Sequence, residues 1–95
     1  MQVQRITGTR GHINIELSDG RYVYVPGELT LGSKFYAVVS QDWYWVKKPI
    51  RYFLSSEDEA TSTRVTDEEK KELMAAVELE QRERIKKDCI RIIFD

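Results

Sequence analysis

The chain has 95 residues but only one cysteine, one histidine and two prolines. No apolar run approaches the length of a membrane span. The single Cys89 closes no disulfide within the chain, which excludes a stapled secreted scaffold and fits a reducing compartment. Cys89 opens the apolar run Cys89-Ile90-Arg91-Ile92-Ile93-Phe94, where a buried, inert thiol is the ordinary reading. The opening Met1-Gln2-Val3-Gln4-Arg5 lacks the apolar stretch of a secretory signal. The expectation is a soluble, cytoplasmic protein with no membrane contact.

Catalytic vocabulary is equally sparse. There is no metal-ligand spacing, no glycine-rich phosphate loop and no nucleophile with a base in a recognisable local motif. His12 and Glu16 share one face of a predicted strand, but four residues of strand separate them by about 13 Å. An exposed strand histidine is therefore the better reading of His12. The expectation is a protein without catalytic residues, cofactor or metal, one that binds rather than reacts.

What the chain has in quantity is aromatic side chains in one place. Nine of its ten aromatic residues fall between Tyr22 and Phe53, with only Phe94 outside. The net charge of −1 hides an asymmetry, because residues 1–53 sum to +3 and residues 54–95 to −4. The two halves thus present different faces to a charged partner.

The pattern predicts an α+β fold in a single domain: an antiparallel sheet of about five to seven short strands with one long amphipathic helix packed on it. Gln2–Thr7 reads as a first strand before the turn signal Gly8-Thr9-Arg10-Gly11. His12–Leu17 alternates polar and apolar, as a strand with one buried face does. A two-residue Asp19-Gly20 loop would pair Ile15 with Tyr24. A three-residue loop ending in a left-handed Gly20 pairs Ile15 with Val23 and Ile13 with Val25. The second register gathers the aliphatics on one face and leaves Tyr22 and Tyr24 beside His12, Asn14 and Glu16, exposed or covered only at the edges. Pro26-Gly27 is expected to break the hairpin, and Gly32-Ser33 to turn residues 28–31 back on a largely buried strand over 34–40. Trp43–Val46 reads as a sixth strand that Pro49 confines to an edge or ends.

Residues 54–65, almost without apolar side chains, read as one long polar loop. Helix signals dominate residues 66–88. Thr66 and Glu69 form a capping box, acidic residues fill the first turn and basic ones the last. Leu73, Met74, Ala76, Val77 and Ile85 make an apolar stripe interrupted at Gln81. Residues 89–94 read as a final strand.

Two segments carry functional alternatives. Trp43-Tyr44-Trp45-Val46-Lys47-Lys48-Pro49, followed by Tyr52 and Phe53, has the aromatic and basic make-up of a single-stranded nucleic-acid platform. The same composition serves a β-domain whose tryptophans fill the core and whose lysines solubilise an edge. If Trp43 and Trp45 point inward, Tyr44 points outward. A pI near 5.9 weighs against nucleic acid. Glu57, Asp58 and Glu59 begin an acidic stretch that is either a solvated connector or an imitation of nucleic acid toward a basic partner.

Tyr36-Ala37-Val38, the Trp45 and Pro49 pair, the capped Thr66-Asp67-Glu68-Glu69 helix and the aliphatic strand at 90–94 together resemble the immunity protein 74 family of bacterial polymorphic toxin systems. The resemblance runs from about Gly11 onward; the segment 54–65 and Tyr44, Tyr52 and Phe53 lie outside the compact pattern. It implies a small protein encoded beside a toxin domain, one that binds and neutralises that toxin in the producing cell. The acidic half points to a nuclease as the toxin. Trp45 and Pro49 would then fix the edge of the sheet, and Gly20, Thr66 and Glu69 would be structural. Partner contacts would come from Glu57, Asp58, Glu59, Tyr44, Tyr52, Tyr22 and Tyr24. The alternative is a small nucleic-acid- or peptide-binding β-domain that uses an exposed aromatic and basic face. An enzyme would need His12 and several carboxylates brought together by the fold.

Overall fold

In the computed structural model, which describes residues 1–8, 11–30, 34–83 and 91–95, the alternating segments become strands of one seven-stranded sheet. They are β1 (Val3–Gly8), β2 (His12–Leu17), β3 (Tyr22–Thr30), β4 (Lys34–Ala37), β5 (Tyr44–Val46), β6 (Thr63–Arg64) and β7 (Arg91–Phe94). The order is β1-β2-β3-β4-β7, with β5 paired to β3 and β6 paired to β5. Two helices complete the fold, α1 (Ser56–Thr61) and α2 (Asp67–Glu83). The fold is α+β, with the long helix packed on the sheet.

The hairpin register follows from its turn. Gly20 adopts φ 91°, and Ile15 stands opposite Val23 and Ile13 opposite Val25. That register places Ile13, Ile15, Leu17, Val23 and Val25 in the core, with Val3, Phe35, Ala37, Trp43, Val65, Leu73, Val77 and Ile92. Trp43 is fully buried, and its indole N–H donates to the Val38 carbonyl at 3.0 Å. Trp45 lies opposite Val23 on the same side and packs against the core. Tyr44, opposite Tyr24, belongs to the other face.

Four expectations are corrected. Pro26-Gly27 does not break the chain; β3 runs through it for nine residues and exchanges its β2 and β5 partners for β4. The Pro26 carbonyl still accepts from Val38 N–H, and Gly27 N–H donates to the Gly11 carbonyl. Proline only lacks a donor here, so pairing continues around it. The strand read over 34–40 is four residues long and alternates, with Phe35 and Ala37 buried and Lys34 and Tyr36 exposed. The sheet is not wholly antiparallel, because β7 runs parallel to β4 and aligns Phe35 with Ile92 and Ala37 with Phe94. A parallel pair needs a long crossover, and the segment containing α2 provides one. Finally, residues 54–65 are not a loop throughout, since they contain α1 and β6. α1 buries no residue, so no apolar periodicity announced it. Its signature is a capping box: Ser55 Oγ accepts from Asp58 N–H at 3.1 Å, and the Asp58 carboxylate accepts from Ser55 N–H at 3.2 Å.

Thr66 and Glu69 form the expected capping box on α2, with Glu69 Oε1 accepting from Thr66 N–H at 2.9 Å. α2 is described as far as Glu83; its expected continuation to 88 falls in residues 84–90, which, with Ile85 and Cys89, lie outside the described residues, as does the expected Gly32-Ser33 turn. Gln81 interrupts the apolar stripe for a reason: its carboxamide receives Ile92 N–H at 2.8 Å and reaches the Ile92 carbonyl at 3.4 Å, occupying β7 as a neighbouring strand would. Lys70 is also buried. Its ammonium donates to the Val39 and Gln41 carbonyls, each at 2.8 Å, and lies over the Trp43 ring at 5.4 Å.

Two glycines differ in what they protect. Nothing lies within 4 Å of a Cβ added at Gly20, whereas one at Gly27 would meet the Phe35 ring at 2.5 Å and the Tyr36 carbonyl. Gly20→Val is predicted to cost about 1 kcal/mol or more through positive φ alone. Gly27→Ala should cost more, because the backbone of β4 must move. Urea unfolding of both variants checks this, and a smaller loss at Gly27 would contradict the close approach.

The caps predict a pH dependence. Hydrogen bonds from the Ser55 hydroxyl and N–H hold the Asp58 carboxyl below the usual carboxylate range, and the Thr66 N–H and hydroxyl do the same to Glu69. A carboxyl with a depressed folded pKa adds stability above its unfolded value and loses it as pH falls through the folded value. A variant carrying Ser55→Ala and Thr66→Ala should therefore melt below the parent at neutral pH, with the gap narrowing in strong acid to what the lost hydroxyl bonds to the Asp58 and Glu69 N–H groups contribute at any pH. Thermal melts across that range provide the check; a gap that stays constant would contradict it.

Candidate functional site

The outer face of the sheet is polar by sequence, and the fold covers part of it. Beyond Val46 the chain passes over the face that carries His12, Asn14 and Glu16 on β2 and Tyr22 and Tyr24 on β3. Ile50 is the residue that docks, at 4% exposure. Its N–H donates to Asn14 Oδ1 at 3.0 Å, and its carbonyl accepts from Asn14 Nδ2 at 2.8 Å. The same carbonyl lies 2.6 Å from His12 Nε2. A carbonyl only accepts, so Nε2 carries the proton. The His12 ring packs on Tyr24 with centroids 4.9 Å apart.

His12 is thus a correction: it is 1% exposed and serves as an anchor, not an exposed strand residue. Its polar ring is tolerated inside because it is hydrogen-bonded. Tyr24, half-buried beside it, has a phenol pushed above its ordinary pKa, first by burial and then by Tyr44.

The residues on either side of the anchor are exposed. Lys47, Lys48, Pro49, Arg51, Tyr52 and Phe53 are all exposed. Tyr52 and Phe53 stand at 83% and 74%, the two most exposed large hydrophobic side chains described. Beside Tyr52 runs a groove of about 480 Å³, lined by residues of β1, β2, β3 and the 49–52 segment, among them Arg5, Glu16, Tyr22, Arg51 and Tyr52. Glu16 lies between two of its walls, 3.5 Å from the Tyr22 hydroxyl and 3.9 Å from the Arg5 guanidinium. The segment leads into α1, whose first turn carries Glu57 and Glu59, both exposed.

The predicted partner residues separate into three groups. Tyr22 and Tyr52 line the groove. Tyr24 and Tyr44 are half-buried and face each other across β3 and β5. Glu57 and Glu59 are free for contact, whereas Asp58 is half-buried and held by Ser55, with Lys48 contributing to its lowered pKa. Trp45 is covered by the Arg21 guanidinium, 4.5 Å from the ring centroid. Pro49 is exposed, one residue before the anchor; of its two expected effects the edge does not hold, since β5 is flanked by β3 and β6, while the strand does end before it, at Val46. Sequence reasoning missed the roles of Asn14 and Ile50, and named Phe53 only within the aromatic and basic segment, not among the partner contacts. The one available signal was a lone isoleucine in the basic run Lys47-Lys48-Pro49-Ile50-Arg51.

Among the described residues no group of three His, Cys, Asp or Glu side chains converges on a metal-sized site. None of the described helices is long and apolar enough to cross a membrane. Compared with family models, curated proteins and solved structures, the chain matches none. The arrangement is suited to contact: two exposed rings on an anchored segment, a groove lined by Tyr52, and exposed carboxylates on the helix that follows.

The anchor yields a test. Asn14→Ala leaves a buried donor unpaired and is predicted to cost about 2 kcal/mol. It should also open the bonds after Lys47 and Arg51 to trypsin under native conditions. Resistance equal to that of the parent would show that the segment is held by other means.

Proposed function

We propose that the protein is an immunity protein that binds a cognate bacterial toxin domain of the nuclease class and blocks its active or substrate-binding surface. The observation that carries this reading is the exposure of Tyr52 and Phe53, adjacent in sequence and two and three positions after a residue whose backbone is fixed on both its donor and its acceptor. Aromatic side chains dominate interface energetics, and one held in place before binding loses less entropy on complex formation. The acidic turn of α1 beside them suits a basic, nucleic-acid-binding surface, since opposite charges speed encounter and set orientation. The resemblance to the immunity protein 74 pattern supplies the partner class.

A second reading is supported by the same segment. Lys47, Lys48 and Arg51 are exposed next to the rings, as a single-stranded nucleic-acid platform requires. The first reading is preferred because only two rings are fully presented, while Trp43, which would be the strongest stacking surface, is spent on the core.

Co-expression with the toxin domain encoded by the neighbouring gene, followed by binding kinetics, tests the proposal. A tight one-to-one complex is expected. Tyr52→Ala with Phe53→Ala should speed dissociation at least about tenfold without shifting the melting temperature. Glu57→Lys with Glu59→Lys should slow association, more so at low salt. Unchanged kinetics in both variants would contradict the proposed surface, and tight binding of a single-stranded oligonucleotide would favour the second reading.

A further inference from the structure

β1 is the end strand of the sheet; its one strand partner is β2, and no described strand pairs with its outer edge. Such an edge offers a row of backbone donors and acceptors to any extended chain. The other end strand, β7, is treated differently, because Gln81 already occupies Ile92 N–H and C=O. β1 also contributes to the groove described above, which Arg5, Thr7 and Gly8 line together with Arg51 and Tyr52.

The charges in that groove select the occupant. Arg5 is largely exposed and meets Glu16 only at 3.9 Å, while Arg51 has no described carboxylate within ion-pair distance. A register shift between Val3 and Arg5 bulges the start of β1 and leaves Arg5 to Gly8 as the regular stretch. Bulges and edge arginines discourage pairing with a second copy, which would bring two Arg5 side chains to one seam. The same arginine attracts a strand that carries a carboxylate opposite it. On the inner side Ile6 packs against the core and would meet an apolar residue.

We propose that β1 and the adjacent groove form one site that receives an extended, acidic segment of the partner protein, added as a strand beside β1 with its carboxylates toward Arg5 and Arg51 and a side chain against Tyr52. This rests on the reading of the protein as a toxin-binding immunity factor and names the part of that partner it would grasp. Together with acidic α1 it makes the surface bipolar, so that a partner carrying both signs docks in one orientation.

The test uses the full-length protein with four probes: the cognate toxin domain, a capped peptide alternating valine and glutamate, the same peptide with lysine for glutamate, and a single-stranded thymidine oligonucleotide. The valine/glutamate peptide should bind and shift the backbone amide resonances of Arg5, Ile6 and Thr7; the lysine peptide and the oligonucleotide should not. Arg51→Glu, and Arg5→Glu with Arg51→Glu, should weaken that peptide and the toxin at least about tenfold with the melting temperature of Arg51→Glu unchanged. Equal binding of the two peptides, shifts away from β1, oligonucleotide binding at these residues, or a concentration-dependent dimer seamed at β1 would each overturn the inference. A toxin held equally well by parent and variants overturns it while leaving the proposed function intact. A parent that binds the acidic peptide at β1 but no toxin overturns the proposed function instead.

Discussion

The contact on which the outer half of this molecule depends is the one between the Asn14 carboxamide and the peptide of Ile50. A side-chain amide offers a donor and an acceptor at the spacing of a backbone amide, so one residue does the work of a strand pairing. It lets a segment without regular structure lie on a sheet face while its buried polar groups stay satisfied. His12 strengthens the same point from one strand position away. Gln81 repeats the device on Ile92, where it closes the edge of β7.

Fixing Ile50 has consequences for everything around it. The sheet gains cover on both faces, with α2 on the aliphatic side and the 47–53 segment on the polar side. The segment is short, so anchoring its middle residue leaves Tyr52 and Phe53 little freedom and no place in the core. Burial of both faces, with those two rings left outside, is a distribution of apolar surface that a binding role accounts for. Charge is arranged around the rings in the same sense, arginines toward the groove and carboxylates toward α1.

Local chemistry was legible in the sequence and nonlocal chemistry was not. Gly20 set the hairpin register because only one loop length placed Ile13, Ile15, Val23 and Val25 on one face. Thr66 and Glu69 marked the start of α2 because a capping box is written within four residues. The α1 box at Ser55 and Asp58 was equally local, but the absence of apolar residues around it argued for a loop. The burial of His12 could not be read, since it depends on Ile50, 38 positions away. The parallel pairing of β7 depends on where α2 returns the chain, and the burial of Lys70 on two carbonyls near Trp43; neither has a local signature. Of the candidate site, Tyr22 was found through the hairpin register and Tyr52 through composition, whereas Asn14 gave no sign because an asparagine on the polar face of a strand is ordinarily solvated.

The central claim is that the segment bearing Tyr52 and Phe53 is fixed before any partner arrives. Amide hydrogen exchange of the free protein addresses it most directly, through the Ile50 N–H. The account predicts protection of Ile50 approaching that of the Ile13 and Ile15 amides in β2, with Lys47, Lys48, Tyr52 and Phe53 exchanging fast on either side. An Ile50 amide that exchanges as quickly as those neighbours would mean that the segment is not anchored, and the rings would then be two side chains on a loose loop.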